Sequence, residues 1–215
     1  MITLHHLNDS RSQRVLWLLE EIGHPYQVVR YQRDAVTNLA PPELKAVHPL
    51  GKSPVITEQG ETIAESGLII DYLIRRHADG RFAPAADYRS RDFIAYQHWL
   101  HFAEGSAMLP LLLKLYVGRL GDAGKPLWPR IEGELHNHFA YINQALEGRE
   151  FFVGDSLTGA DVQMSFVFEA GSSRGPFEQY PNMVAFKERM QKRPAYQRAL
   201  KVGGLIIADT GEFNK

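Results

Sequence analysis

The pattern of apolar residues changes once along this chain of 215 residues, at a short segment rich in Gly, Pro and small side chains. This segment, residues 79–87, separates two apolar stretches of helical spacing, as a linker between domains does. Before it, short apolar runs alternate with helical patterns, and after it only helical patterns recur. The sequence therefore predicts two units, residues 1–78 and 88–215, joined by a linker at 79–87.

The first unit has the order of elements of a mixed sheet covered by helices. Turn residues bound each short apolar run, and Gln59-Gly60 is typical of a hairpin. Strands are predicted at 2–7, 26–31, 55–58 and 61–64, and helices at 11–22, 42–47 and 65–77. The first strand-helix-strand connection should be right-handed, which makes its two strands parallel. The order βαβ followed by ββα indicates an α/β unit of thioredoxin-like type.

The second unit is predicted to be an all-α helical bundle. Apolar residues recur at helical spacing over five stretches: 88–118, 126–147, 159–170, 182–192 and 196–201. Gly105 and Pro110 should bend the first stretch. The segment from Gly203 onward is predicted to be irregular.

Composition excludes several classes of function. The chain has no cysteine, so disulfides, thiolate metal sites and a cysteine nucleophile are excluded, and any thiol must come from a ligand. A net charge of -1 gives no field for nucleic acid or anionic membranes. The N-terminus lacks the pattern of a signal peptide, and the apolar stretch at 108–115 is too short to span a bilayer. We therefore predict a soluble cytoplasmic protein that binds neither nucleic acid nor membrane.

The segment His-Pro-Leu-Gly-Lys-Ser-Pro-Val at 48–55 carries the strongest motif. A Pro at the start of a strand marks an edge or a special backbone feature, and only ~5% of X-Pro bonds are cis. The segment resembles the cis-proline loop of cytosolic glutathione transferases, and residues 31–45 before it resemble the bacterial and fungal branch. The resemblance implies a cis Ser53-Pro54 bond. It also implies that the main chain of Ser53 pairs with the cysteinyl unit of glutathione while Lys52 faces the glycyl carboxylate.

Glu65 and Ser66 open the third predicted helix and have two compatible interpretations. They can cap the helix, because an acidic residue is favoured near the positive end of the helix dipole. The family resemblance adds a seat for the γ-glutamyl end of glutathione. Ser66 would bind the α-carboxylate at the helix N-terminus, and Glu65 would bind the α-amine.

The turn at residues 8–13 connects the first strand to the first helix. Ser10 and Gln13 have the spacing of a capping box, which is a structural role. The family places its thiol-activating Tyr, Ser or Cys in this turn. Tyr is absent from the turn, so the resemblance implies Ser10 as the catalytic residue, assisted by Arg11. Arg11 and Ser12 remain alternatives for the contact with the thiol.

Other motifs point to structure rather than chemistry. Thr158 and Asp161 form a second capping box, which resembles a buried helix cap of the family's helical domain. The paired histidines at 98 and 101 and at 136 and 138 lack nearby acidic partners, so no metal site is predicted. Trp99, Phe102, Tyr116 and Phe166 are more typical of a core than of a substrate pocket, although one or two can line a cleft.

The resemblance covers nearly the whole chain and implies a glutathione transferase fold and activity. The enzyme would activate glutathione, as a co-substrate with no other cofactor, for attack on small hydrophobic electrophiles or for peroxide reduction. It would act as a homodimer. Isomerase and dehalogenase activities, and a non-catalytic module that binds a protein partner, remain alternatives, because a fold does not determine a function.

Overall fold

A mixed four-stranded sheet forms the centre of the first unit in the computed structural model, which describes residues 1–204. The strands are β1 (Ile2–Leu7), β2 (Tyr26–Tyr31), β3 (Val55–Glu58) and β4 (Glu61–Ala64), in the spatial order β2-β1-β3-β4. β1 and β2 are parallel, whereas β3 is antiparallel to both β1 and β4. The predicted strands and the parallel pair are confirmed.

Three helices belong to the first unit: α1 (Ser12–Ile22), α2 (Leu44–Val47) and α3 (Ser66–His77). Five successive side chains of α1, from Val15 to Leu19, are fully buried. Five consecutive residues point to all sides of a helix, so this part of α1 needs neighbours on every side, and it lies between the sheet and the second unit. It ends at Gly23, whose φ of 77° is the left-handed conformation that a helix C-cap requires.

The regular elements of the second unit are all helical within its described length, as predicted. Its helices are α4 (Arg91–Phe102), α5 (Met108–Gly118), α6 (Trp128–Ala145), α7 (Gly159–Arg174), α8 (Pro181–Gln191) and α9 (Pro194–Gly203). The predicted stretch 88–118 is two helices joined by a π-helical turn, Ala103–Ala107, which contains Gly105. Pro110 lies in the first turn of α5, where a missing N–H is tolerated. Residues after 204, including most of the predicted irregular tail, lie outside the described residues.

Helix α7 is the central helix of the second unit and begins at the predicted capping box. Its residues from Gly159 to Gly171 are all buried. The Asp161 carboxylate accepts the N–H of Thr158 at 2.7 Å, its hydroxyl at 2.9 Å and the N–H of Phe152 at 2.8 Å. The capping box is therefore confirmed, and it also ties the preceding loop to the helix.

Helix α9 packs back onto α1 of the first unit. The ring of Tyr196 meets the ring of Trp17 edge-on, with 5.3 Å between their centroids. Ion pairs and hydrogen bonds surround this contact: Arg193 with Glu21 (2.6 Å), Arg198 with Glu20 (2.7 Å) and His6 Nε2 with the Gly203 carbonyl (3.0 Å). The last described helix thus completes the core around the first one.

The aromatic residues of α4 belong to the core. Phe93, Tyr96 and Trp99 are buried, so the abundance of apolar residues on this helix reflects intramolecular packing more than an extra surface. Ile94 is the large apolar residue of α4 that stays exposed. Within residues 1–204, no helix has the combination of length and apolar content needed to cross a membrane.

Candidate active site

A cavity of about 250 Å³ opens between the first unit and helices α5 and α7. The first unit contributes the turn after β1, part of the loop after β2 and the segment that precedes Pro54. Helices α5 and α7 contribute a mostly apolar wall, which consists of Met108, Leu112, Leu115, Phe166 and Ala170 together with Tyr116 and Arg174. The cavity therefore has one mostly polar side and one mostly apolar side, which suits a polar ligand that lies beside an apolar one.

The Ser53-Pro54 peptide bond is cis, as the loop motif predicted. The Ser53 hydroxyl donates to the carbonyl of His5 at 2.8 Å and accepts the N–H of Leu7 at 3.3 Å, so its side chain is fixed to β1. Ser53 and the exposed Lys52 both line the cavity.

The turn after β1 places Ser10 and Arg11 in the cavity wall. The Ser10 hydroxyl donates to the carbonyl of Leu7 at 2.8 Å and accepts the N–H of Ser12 at 3.2 Å. The N–H of Gln13 instead bonds the main-chain carbonyl of Ser10, at 3.2 Å. The predicted capping box between Ser10 and Gln13 is therefore wrong, because the hydroxyl caps the residue one position earlier.

Ser12, the other hydroxyl of this turn, points into the protein interior. It is fully buried, bonds His6 Nδ1 at 2.8 Å and the carbonyl of Leu7 at 3.2 Å, and is not part of the cavity lining. A ligand in the cavity therefore meets Ser10 and Arg11 before it meets Ser12.

Glu65 and Ser66 lie at the start of α3, outside the lining of this cavity. Glu65 has φ of 69°, which a side chain with a Cβ rarely adopts, and such strain is concentrated at functional sites. The Ser66 oxygen accepts from Arg14 at 2.7 Å and from the Gln163 amide at 3.3 Å. Its acceptor positions are thus filled, and its own hydrogen is free to be donated.

Arg14 is a site residue that the sequence analysis missed. Its guanidinium is completely buried and bonds Ser66, the carbonyl of Gln163 and the Glu104 carboxylate. Glu104 also pairs with Arg11, with 2.7 Å between Nε and Oε2. Arg14 therefore connects the start of α3 to the cavity wall. The sequence contains one signal for it: Arg14 directly precedes five apolar residues of the same helix. A charged residue beside such a run is a candidate for burial, and a buried arginine needs charged or polar partners.

The shared carboxylate of Glu104 stays ionised at neutral pH. Burial by itself would raise its pKa, but the charges and hydrogen bonds of Arg14 and Arg11 outweigh burial and lower the pKa below its usual value. Glu104 lies in the π-helical turn, a rare feature that occurs most often at functional sites.

The four aromatic residues of uncertain role divide between core and cavity. Trp99 is buried and Phe102 is packed against the core, as the sequence predicted for the group. Phe166 and the half-exposed Tyr116 line the cavity. The Arg11 guanidinium lies over the Phe166 ring, 5.2 Å from its centroid.

One cluster among residues 1–204 has the donor types and spacing of a metal site: His24, Glu58 and His77. The sequence analysis did not identify it, because its members come from three different elements. The Glu58 carboxylate already accepts from Tyr72 at 2.8 Å and pairs with His77 at 3.1 Å. The cluster lies at the far end of β3 from Ser53, so it takes no part in the cavity.

Comparison with known proteins gives the family. The models of the N-terminal and C-terminal domains of glutathione S-transferases match residues 1–75 and 106–194. Glutathione S-transferase 3 of Schizosaccharomyces pombe is 33% identical over 91% of this chain and 85% of its own length. The chain belongs to the glutathione S-transferase family. Glutathione S-transferase 1 of Saccharomyces cerevisiae is 30% identical over 91% of the chain and 92% of its own.

A solved structure shows the same glutathione S-transferase fold along nearly the whole chain. The crystal structure of a glutathione S-transferase from Actinobacillus pleuropneumoniae has a TM-score of 0.88 and 34% identity. The match covers 97% of this chain and 96% of that one. In the present chain, the cavity is lined by residues from both of the regions that match the glutathione S-transferase domain models.

Proposed function

We propose that this chain binds glutathione in the cavity and activates its thiol for attack on small hydrophobic electrophiles. The observation that carries the proposal is the meeting of Ser10, Ser53 and an apolar wall in one cavity. The polar side suits a tripeptide and the apolar side suits an electrophile. We place this reaction in the cytoplasm, with detoxification as its role.

Glutathione binding would use three parts of the first unit. The main chain of Ser53 pairs with the cysteinyl unit as an added strand, and Lys52 faces the glycyl carboxylate. Ser66 donates its hydrogen to the γ-glutamyl carboxylate at the N-terminus of α3, because Arg14 and Gln163 occupy its acceptor positions. Glu65 binds the α-amine.

Thiol activation would come from Ser10 and Arg11 at the start of α1, where the Ser10 hydroxyl turns its one hydrogen from the Leu7 carbonyl to the thiolate when glutathione binds. A free thiol has a pKa near 8.5, so it is only slightly ionised at neutral pH. One hydrogen bond to a charged group, worth roughly 1.5–3 kcal/mol, lowers the pKa by about one to two units. The guanidinium of Arg11 and the helix dipole favour the thiolate in the same direction.

Substitution of Ser10 by Ala tests this step. We expect the pKa of bound glutathione to rise by about one unit, because the thiolate loses a donor. Glutathione affinity should stay within a few-fold, since the two ends of the tripeptide are held elsewhere. The measurement is the thiolate absorbance of the binary complex as a function of pH.

The neighbouring positions provide the comparison for Ser10→Ala. Ser12→Ala removes the adjacent hydroxyl, which is outside the cavity lining but bonds the Ser10 oxygen at 2.8 Å, and should shift the titration less than Ser10→Ala does. If Ser10→Ala leaves the titration unchanged and Arg11→Ala shifts it, the donor is Arg11. If none of the three substitutions shifts the titration, activation of the thiol by these side chains is refuted. The proposed glutathione-binding site is not refuted by that result.

The second substrate decides which reaction of the family this chain performs. Conjugation, peroxide reduction, isomerisation and dehalogenation can all start from the same thiolate. A panel containing a chlorinated aromatic, an organic peroxide and an epoxide separates these reactions. We expect turnover of the chlorinated aromatic. Binding to immobilised glutathione without turnover of any substrate would instead support a non-catalytic module that binds a protein partner.

We further propose that the protein is a homodimer. Leu68 of α3 and Ile94 of α4 are large apolar side chains that are 59% and 50% exposed. Burial of such side chains in a symmetric interface stabilises association. Sedimentation equilibrium at micromolar concentration should give twice the mass of one chain, which is 24.4 kDa. A single species at that monomer mass would refute the dimer.

A further inference from the structure

Positive charge is concentrated on the cavity wall. Among residues 1–204, five cationic residues contribute to the lining: Arg11, Arg33, Lys52, Arg119 and Arg174. Asp9 is the one carboxylate that lines the cavity in this part of the chain. The cavity of a chain with a net charge of -1 thus carries a local positive field, and its sign favours anionic ligands.

Arg11, Arg33 and Arg174 line the same cavity, and Arg11 lies close enough to each of the other two to affect its charge. Burial lowers the pKa of Arg174 first, and the charge of Arg11 lowers it further. The pKa of Arg33 is likewise lowered by burial and by Arg11, although Asp9 acts in the opposite direction. Tyr116 lines the same cavity as Arg33 and Arg174. Like charges held together in a partly buried wall are stabilised by a bound anion.

The contacts of Arg11 and Arg33 leave both guanidinium groups positively charged. Glu104 pairs with Arg11, but the same carboxylate also pairs with the buried Arg14, so two cations share one anion. Arg33 donates to three main-chain carbonyls, those of Asn8, Asp9 and Asn38, each at 3.1 Å. Carbonyls fix its position without cancelling its charge. The guanidinium groups of Arg11 and Arg33 are therefore held in place and remain electropositive.

We propose that Arg11, Arg33 and Arg174 form an anion subsite that binds a carboxylate of the second substrate. This inference rests on the proposed transferase function and names its substrate class. Phe166, Met108 and Leu112 supply an apolar surface beside the subsite. The substrate is thus an electrophile with an apolar body, commonly a ring, and a carboxylate at one end. Planar guanidinium groups match the geometry of a carboxylate.

The carboxylate bound there has two possible sources, the second substrate and the glycine of glutathione. The family resemblance implies Lys52 as the partner of the glycyl carboxylate and Ser66 as the partner of the γ-glutamyl carboxylate. Arg174 lies at the end of α7, on the same helix as Phe166, and so belongs to the apolar side. The position of Arg174 therefore favours the electrophile as the source of the bound carboxylate.

A matched pair of electrophiles tests the subsite: 4-chloro-3-nitrobenzoate and its neutral methyl ester. In both, the thiolate of glutathione forms a carbon–sulfur bond at the same carbon as the carbon–chlorine bond breaks, and chloride leaves. The readout is the ratio of kcat/KM for the carboxylate to that for the ester, each divided by its uncatalysed rate. A ratio cancels any general loss of activity in a variant.

We expect the wild-type ratio to favour the carboxylate and to fall about tenfold in Arg174→Gln, the effect of one lost charge-assisted hydrogen bond. Arg174→Lys should retain part of the preference, because the charge remains. Arg89→Gln, at an exposed arginine paired with Asp87 in the linker region, should keep the wild-type ratio. A wild-type ratio that does not favour the carboxylate would overturn the subsite.

Binding of the two preformed glutathione conjugates separates this inference from the proposed function. Calorimetric dissociation constants need no turnover. A wild-type preference for the carboxylate conjugate, lost in Arg174→Gln, supports the subsite even if neither electrophile is turned over, in which case only the transferase activity fails. If Arg174→Gln weakens glutathione itself about tenfold and leaves the preference between conjugates unchanged, the carboxylate comes from glutathione and the inference is refuted.

Discussion

Replacing Arg14 by Met is expected to lower the free energy of unfolding by about 3–5 kcal/mol, the effect of removing one partner from a buried ion pair. The guanidinium is completely buried and bonds Glu104, Ser66 and the carbonyl of Gln163. Methionine fills a similar volume but leaves these polar groups without their donor. Urea denaturation of the variant and the wild type measures the difference.

The same substitution should also weaken glutathione binding about tenfold or more, because Ser66 loses the donor that orients its hydroxyl. Arg198→Met is the matched control. Arg198 pairs with Glu20 at 2.7 Å on the surface, where a pair contributes about 1 kcal/mol or less. Equal losses of stability in the two variants would contradict a special role for Arg14.

Asp161→Ala is expected to destabilise the fold by about 3 kcal/mol while leaving glutathione affinity unchanged in the folded protein. The carboxylate accepts the N–H groups of Phe152 and Thr158, and each buried donor without an acceptor costs about 1–3 kcal/mol. Thr158→Ala removes one hydroxyl and should cost about 1 kcal/mol. Thermal or urea unfolding gives the stabilities, and calorimetry gives the affinity.

The loop before α7 contains a matched control for Asp161. Asp155 is exposed in that loop, and Asp155→Ala should change the stability by less than about 0.5 kcal/mol. The structural interpretation fails if either cap substitution abolishes glutathione binding without a change in the melting temperature. Such a result would assign Thr158 or Asp161 to the ligand.

Apolar periodicity, turn residues and capping motifs predicted most helices and strands, because each of these elements is determined largely by neighbouring residues in the sequence. The alternation and turn residues around Val55 to Ala64 predicted the hairpin at its observed bounds. The capping box at Thr158 predicted where α7 begins. The first four backbone N–H groups of a helix have no acceptor within the helix, so nearby side chains must supply one. The π-helical turn at Ala103–Ala107 was predicted only as a bend, because a change in helix period leaves no clear apolar pattern.

The candidate site was predictable where one segment contains it and hidden where distant segments meet. The loop motif gave the cis Ser53-Pro54 bond, which lies within one segment. Arg14 meets Ser66 and Glu104 across 52 and 90 positions of sequence, and no local pattern encodes such contacts. The difference between Ser10 and Ser12 also escaped prediction, because the direction of a side chain in an irregular turn depends on its tertiary partners.

The return of α9 to α1 bears on how such chains can be recombined. The predicted linker at 79–87 suggests itself as a crossover point for exchanging halves between relatives. However, Tyr196 packs on Trp17, and Arg193 and Arg198 pair with glutamates of the first helix. A chimera joined at the linker would set a foreign α9 against α1. The residues of these two helices must therefore be inherited together, although almost the whole chain separates them.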